Sequence, residues 1–435
     1  MTDPGRQTGL HGKIFRYGIS AVGPIASAGS QLLLSLMLLK MLPPDAFGSF
    51  SFLFVASVFS WGLWSALFCA PLPILMSQGT AEDREAAPQC ILAVSLVASV
   101  LALAVLFGLG LLLKVPPLAA FLFAAYGAVA LIRWLARAYG YASGHPLRTT
   151  ASDVTYSVAL VAGVGLVMLT GHPSLDLAYA ALLLAAALGL LPFGRAYLAK
   201  QFLHPRVRDA AGYAAIWRQH SGWSLLGVLT TEATANAHAY IVTGLQGPSA
   251  FAPLAASALM IRPIGVATNA LSEFERAQMA RQIGERRFAA AIGSVRTFRL
   301  ALIAVWVATA IAIGLLLAFD PRLIFPAHYP LHFLAVGALL WLAVAGMRLI
   351  RAPESALLQA AGQFRPLAYA SVLSAVVSIA TVVLLLVTVG PLWSIGGIFL
   401  GEAVFACWTW VQAHRWRQAQ GDGAPTLNHP REVVL

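Results

Sequence analysis

The amino-acid sequence predicts an all-α polytopic membrane protein: about twelve transmembrane helices in two six-helix bundles, related by an internal parallel repeat, with both termini cytoplasmic. Three observations carry that expectation. The chain of 435 residues is 59% hydrophobic and only 10% charged, against about 25% charged in soluble domains, and its mean hydropathy is +0.78. Apolar stretches of about 20 residues, long enough to cross a hydrocarbon core of about 30 Å, recur along the whole length. Basic residues gather in every second connection.

The spans read from the hydrophobic runs are 18–41, 48–76, 90–113, 117–141, 149–170, 175–198, 221–246, 249–272, 298–318, 329–350, 367–390 and 392–413. Of the 28 Lys and Arg, Lys40, Lys114 and Arg322 fall on one side and Arg262 within a span; all others lie on the side of the termini. The positive-inside rule makes that side cytoplasmic. The net charge of +11 is therefore topological, and nucleic acid is not expected as a partner. Residues 1–198 form the first bundle with an interfacial N-terminal arm, 199–220 a basic interfacial linker, 221–413 the second bundle and 414–435 a cytoplasmic tail.

The arm from Leu10 to Ser20 mixes Leu10, Ile14 and Phe15 with Lys13 and Arg16 and reads as a helix lying in the interface. No apolar core ending in a small-residue cleavage site precedes the first span, so that span is expected to direct insertion. Pro24 and Gly29 interrupt it, and such breaks are tolerated where neighbours or a cavity re-satisfy the backbone. Gln31 is either a cavity-facing donor or an interhelical hydrogen bond. Met41 to Gly48 makes a tight outer turn, and Pro71 and Pro73 bend the inner end of the second span. Ser77 to Gln89 is a solvated connection.

The fourth span ends with Arg133 and Arg137 on one helix face, and the fifth opens with Asp153 at a similar depth. Structural pairing is the plainer reading of these three, and a cytoplasmic mouth for an anionic headgroup the sharper one. The stretch from Lys200 to His220 and the loop from Glu273 to Thr297 are basic and helix-prone, suited to lipid headgroups.

Internal repetition supports the duplicated layout. The turn Pro44-Asp45-Ala46-Phe47 recurs as Pro248-Ser249-Ala250-Phe251, and the spacing from Arg133 to Gly144 equals that from Arg351 to Gly362. Six spans per half give the copies one orientation, the geometry of parallel repeats with a central cavity.

Catalysis is disfavoured. Cys69, Cys90 and Cys407 have unrelated spacings and read as small apolar residues. There is no Walker A sequence, no Gly-rich dinucleotide fingerprint and no metal-ligand histidine pair, so neither a metal nor a cofactor is expected. The outer connections are short, which argues against a polysaccharide polymerase or ligase.

The hairpin from Ser221 to Ser272 is the exception to an otherwise apolar chain. Glu232, Asn236 and His238 sit in its first helix and Arg262 in its second, each at a cost that for a mid-membrane charge is about 2.5–3.5 kcal/mol. Glu232 lies about 12 Å into its span and Arg262 about 15 Å from the inner end of the next, at 1.5 Å per residue. A buried Glu232–Arg262 ion pair is one reading. The other makes Arg262 a cavity cation for a phosphate, with Glu232 holding or releasing it. Asn236 shares the Glu232 face, His238 reads as a satisfied interhelical group, and Glu402 and Asn269 are weaker candidates.

With the hairpin QLLLSLMLLKMLPPDAFGSFSFLF, the segment RWLARAYGYASGHPLR and the helix pair from Glu232 through Pro263, the chain resembles a polysaccharide flippase of the MATE-like (multidrug/oligosaccharidyl-lipid/polysaccharide exporter) superfamily. The L-x-P-x-x-F-G turn is matched from Leu42 to Gly48, and the layout extends over about residues 10–415. The resemblance implies alternating access between two bundles in a bacterial inner membrane. It implies carriage of an undecaprenyl-pyrophosphate-linked oligosaccharide to the outer leaflet, with membrane lipids and polysaccharide assembly proteins as further partners. Arg262 best fits a pyrophosphate-binding cation, with Glu232, Asn236, Lys40, Arg133 and Arg137 as additional cavity candidates and Glu232 or Asp153 as candidates for ion coupling. The alternatives are a cation-coupled exporter of small molecules, which should favour acidic cavity residues, and a membrane polymerase or ligase.

Overall fold

The computed structural model describes residues 10–77, 81–169, 174–202 and 212–421. Those residues are helical throughout apart from short connections, with no strand. In order the helices are α1 (Leu10–Met41), α2 (Pro44–Trp64), α3 (Pro71–Ser77), α4 (Ala81–Leu112), α5 (Pro117–Ala142), α6 (Pro146–Leu169), α7 (Leu175–Leu188) and α8 (Arg195–Phe202). There follow α9 (Tyr213–Ile216), α10 (Gly222–Gln246), α11 (Pro248–Leu259), α12 (Arg262–Gly284), α13 (Phe288–Phe319), α14 (Leu331–Ala360), α15 (Phe364–Thr388) and α16 (Ser394–Gly421). Part of the expected linker and tail, at residues 203–211 and 422–435, lies outside the described residues.

Ten helical segments are long and apolar enough to cross a membrane, and α11 with α12 makes an eleventh as a pair bent by 61°. The 25-residue α10 is of spanning length, but Glu232, Asn236, His238 and its threonines leave it outside those ten. The protein is a multi-pass membrane protein. The expected arm and first span merge into one helix, since α1 runs through Pro24 from Leu10 to Met41.

Proline and glycine set the helix ends. Proline opens α2, α5 and α11, where a missing N–H costs nothing and φ is already helical. The repeat noted in the sequence is visible in two caps. Gly144 after α5 has φ +77° and Gly362 after α14 has φ +71°. Behind each, the next residue's N–H reaches five residues back, His145 to the Gly140 carbonyl and Gln363 to the Leu358 carbonyl, both at 2.8 Å. A left-handed glycine closes a helix this way without a Cβ penalty.

Helices before residue 200 pack mainly on one another, α1 on α6, α4 on α5 and α5 on α7. Helices after 221 do the same, α10 on α15, α15 and α14 on α16, and α12 on α13 and α14. The two groups meet where α2 lies on α11 and α10, and where α1 meets α12. Phe47, Phe50, Leu53, Ala252 and Ala256 share one buried apolar cluster across that seam. A Cβ on Gly48 would come 1.9 Å from the Pro248 carbonyl oxygen, so α2 and α11 cross in near-backbone contact. The two repeated turns therefore pack against each other.

One expected span is not straight. The eighth, read as 249–272, breaks at Met260–Ile261 between α11 and α12. Pro263, second in α12, lacks a backbone N–H, and its ring disfavours a helical conformation for the residue before it. Arg262 is that residue, and the bend carries it out of the wall of a straight helix.

Candidate functional site

A cavity of about 1000 Å³ lies between the two helix groups. Its wall is drawn from α1 (Gly29, Gln31), α2 (Phe54, Val58), α10 (Thr231, Asn236), α12, α14 and α16. The lining runs from Phe54 and Arg262 down to Arg276 and Gln359, where Arg276 Nη1 donates to Gln359 Oε1 at 3.0 Å on an exposed part of the surface. That end, beside the second half of α12 and the last turn of α14, is the mouth.

Four arginines and one carboxylate line the cavity: Arg262, Arg276, Arg348 and Arg351 with Glu402. Arg262, half-buried at the α11–α12 break, donates from Nη1 to Ser35 Oγ on α1 at 3.2 Å. Its guanidinium stands 5.3 Å above the Phe54 ring. No carboxylate lies within ion-pair distance of it among the described residues. Arg348 and Arg351, three residues apart on α14, share Glu402 of α16: Arg348 Nε donates to Oε1 at 2.8 Å, and Arg351 Nε is 3.0 Å from Oε2. Arg351 also lies 4.3 Å above the Phe405 ring. Burying the Glu402 charge is compensated by two cations, the condition for an ion at this depth.

The expected Glu232–Arg262 ion pair does not form. Glu232 accepts instead from Asn236 Nδ2 at 3.0 Å and Tyr240 Oη at 2.9 Å, both on its own helix. The i, i+4 and i, i+8 positions stack on one face of α10, and the α11–α12 bend sends Arg262 toward α1. Asn236 lines the cavity, and so do Asn269 and Gln31. Gln31 combines its two readings, since its Nε2 also donates to Tyr156 Oη at 3.2 Å. His238 is buried between Phe251 and Trp341, with ring centroids 5.8 and 5.3 Å away.

Three further cavity candidates lie elsewhere. Lys40 is exposed in the last turn of α1. Arg133 and Arg137 are gathered around Asp153, inside the first group of helices. Arg133 Nη2 donates to Asp153 Oδ1, Arg133 Nε to Ser152 Oγ at 3.1 Å, and Arg137 reaches Asp153 through Nε at 2.9 Å and Nη2 at 3.0 Å. The Arg133 guanidinium caps the Tyr156 ring at 4.4 Å. A Cβ on Gly23 of α1 would sit 2.7 Å from Asp153 Oδ2, so α1 closes over the cluster. The three are ion-paired with one another, and none of them lines the cavity between the helix groups.

Arg348, Arg351 and Arg276 carry no signal of a site in the sequence, because each stands at or beyond a predicted span end, where a basic residue is explained by topology. The available signal was Glu402, a lone carboxylate deep in the last span that needs a cation. Placing α14 against α16 supplies two.

No family model matches the chain, and no curated protein matches it. Solved structures of membrane transporters do. The inward-facing conformation of a multidrug resistance MATE family transporter of the MOP superfamily aligns with 14% identity, covering 93% of this chain and 100% of that one, at a TM-score of 0.66. An outward-facing conformation described in the same terms aligns over 93% of this chain and 96% of that one at 14% identity and a TM-score of 0.57. A MOP superfamily transporter from Pyrococcus furiosus, described as having a binding pocket of reversed polarity, aligns at 16% identity over 93% and 95% with a TM-score of 0.59. The chain has the MATE transporter fold, consistent with about twelve helices.

Proposed function

We propose that the protein is a flippase for a lipid-linked oligosaccharide, moving an undecaprenyl-pyrophosphate-linked glycan from the cytoplasmic to the outer leaflet of a bacterial inner membrane by alternating access. The observation that carries the reading is the charge of the cavity wall: four arginines against one carboxylate. A cation-coupled exporter of cationic small molecules calls for the opposite balance. Guanidinium groups are weakly hydrated and match phosphate oxygens in a bidentate fork, which suits a diphosphate headgroup.

The mechanism follows from solvent. The sugar and headgroup must stay out of hydrocarbon while the polyprenyl tail remains in it. A cavity bounded by both helix groups, wet at its Arg276–Gln359 mouth, receives the headgroup, and Arg262 lies at the far end of the lining. The higher TM-score with an inward-facing neighbour than with an outward-facing one supports a cytoplasm-open state. A potential negative inside favours outward movement of the anionic head by about 2.3 kcal/mol per charge per 100 mV.

The test is deletion of the gene in its host with mass spectrometry of membrane lipids. Accumulation of a polyprenyl-linked oligosaccharide at the inner leaflet is the expected result. An unchanged lipid profile, with altered sensitivity to cationic drugs, would favour the small-molecule exporter.

A further inference from the structure

Three buried carboxylates among the described residues each bridge two arginines: Asp153, Glu354 and Glu402. They are 1%, 0% and 2% exposed, so each is compensated chiefly by its own pair of guanidiniums. What differs is which edge of the guanidinium is used. Asp153 takes Nη2 of Arg133 together with Nε and Nη2 of Arg137, while Ser152 takes Arg133 Nε. Glu354 takes Nη2 of both Arg299 and Arg417 on its Oε1. In these two clusters one terminal nitrogen of each arginine, Nη2, is engaged by the protein.

Glu402 is different. Its nearest contact to each arginine is at Nε: Arg348 Nε donates to Oε1 at 2.8 Å, and Arg351 Nε lies 3.0 Å from Oε2 as an ion pair without hydrogen-bond geometry. Neither arginine makes another hydrogen bond or ion pair among the described residues, and Arg351 is further fixed flat on Phe405. A guanidinium that turns its Nε toward the carboxylate keeps its end-on pair of Nη groups for another acceptor. Of the three clusters, this is the one whose arginines line the cavity. Their Cβ atoms, at i and i+3, are about 5–6 Å apart, so without Glu402 the two cations would repel and splay.

We infer that Glu402 is a positioning residue that sets substrate specificity: its charge keeps the Nε sides of Arg348 and Arg351 turned toward it so that two terminal forks face one lipid diphosphate, a fork for each phosphoryl group. This rests on the proposed reading of the cavity as an anionic headgroup site. A monophosphate satisfies one fork and leaves the other guanidinium facing an empty cavity. A diphosphate engages both.

The experiment measures ligand-induced thermal stabilisation of the purified full-length protein in detergent with inorganic phosphate, inorganic pyrophosphate and farnesyl diphosphate. Wild type is expected to bind pyrophosphate about tenfold tighter than phosphate, and farnesyl diphosphate tighter still. In Glu402→Gln the pyrophosphate-to-phosphate ratio collapses toward one, whereas Glu402→Asp, which keeps the charge, retains a preference. Should Glu402→Gln fail to fold, Arg351→Lys replaces it: lysine keeps the positive charge, lacks the fork, and is expected to lose the ratio. An unchanged ratio in the folded variant overturns the positioning role and leaves the anionic-headgroup reading standing. Equal affinity for the two diphosphates overturns the lipid source of the ligand. Wild type that responds to none of the three beyond chloride overturns the inference together with the reading beneath it.

Discussion

Gly48 of α2 faces the Pro248 carbonyl at the head of α11 so closely that a Cβ would stand 1.9 Å from its oxygen. The two residues belong to the repeated turns after the first and seventh spans, so the copies of one motif form the seam between the helix groups. Forcing a methyl group into such a contact typically costs about 1–3 kcal/mol, and here the obstacle is backbone. Gly48→Ala is expected to lower the melting temperature of the purified protein by several degrees. Gly314→Ala, on α13 with no heavy atom within 4 Å of the added Cβ, should leave it unchanged. Equal melting of the two variants would mean that α2 and α11 slide apart freely.

Arg262 is held to Ser35 and Phe54 by contacts that leave its charge without a carboxylate partner. Under the proposed flippase function, Arg262→Ala is expected to reduce glycan export by at least about tenfold, the loss of one charge-assisted contact of about 1.5–3 kcal/mol, at normal protein abundance. Arg262→Lys should retain part of the export. Ser35→Ala, which removes only the hydroxyl, should stay close to wild type. Full export by the alanine variant would remove Arg262 from the transport cycle.

Asp153 is the sole carboxylate between Arg133 and Arg137 among the described residues. Removing one partner of a buried ionic cluster costs about 3–5 kcal/mol, here with two cations left behind. Asp153→Asn should therefore lower membrane abundance sharply, as read by fluorescence-detected size exclusion. Adding Arg137→Gln should recover part of it. Normal abundance with lost transport would instead point to a coupling role for Asp153.

Glu232 rests on Asn236 and Tyr240 of its own helix, and glutamine keeps an oxygen to accept from one while its NH2 donates to the Tyr240 hydroxyl or to a flipped Asn236 amide oxygen. Glu232→Gln should match wild-type abundance. A loss of abundance reversed by adding Arg262→Ala would restore the ion pair that the α11–α12 bend argues against.

The cavity mouth beside α12 gives a topological prediction. In a variant lacking Cys69, Cys90 and Cys407, a cysteine at Asn269, which lines the cavity, should react with a membrane-impermeant maleimide in inside-out vesicles and not in intact spheroplasts. Labelling from the outer face alone would reverse the assigned sidedness.

Much of this protein was legible in its residues, and the legible part has a common character. Long apolar runs mark helices because spanning length and hydrophobicity are local properties. The Leu42–Gly48 turn, the paired turn at Pro248 and the glycine caps at Gly144 and Gly362 were readable because proline and glycine restrict or release the backbone wherever they stand. The cost of burying Arg262 singled it out, and it does line the cavity. What could not be read was partnership. Glu232 and Arg262 have matching depths on neighbouring helices and still do not meet, since depth fixes one coordinate of a side chain and the rotation and bend of its helix fix the others.

The sequence by itself determined the helices, their ends, their repetition and the residues whose burial has to be explained. The tertiary structure alone decided which charges answer each other. A membrane helix that is apolar on all sides carries no stripe announcing the face it will bury. Only the packing of α14 on α16 brought Arg348 and Arg351 to Glu402, and only the break before Pro263 turned Arg262 toward Ser35. Three of the four cavity arginines, Arg276, Arg348 and Arg351, are residues that topology had already accounted for, and close packing between distant helices turned them into a cavity wall.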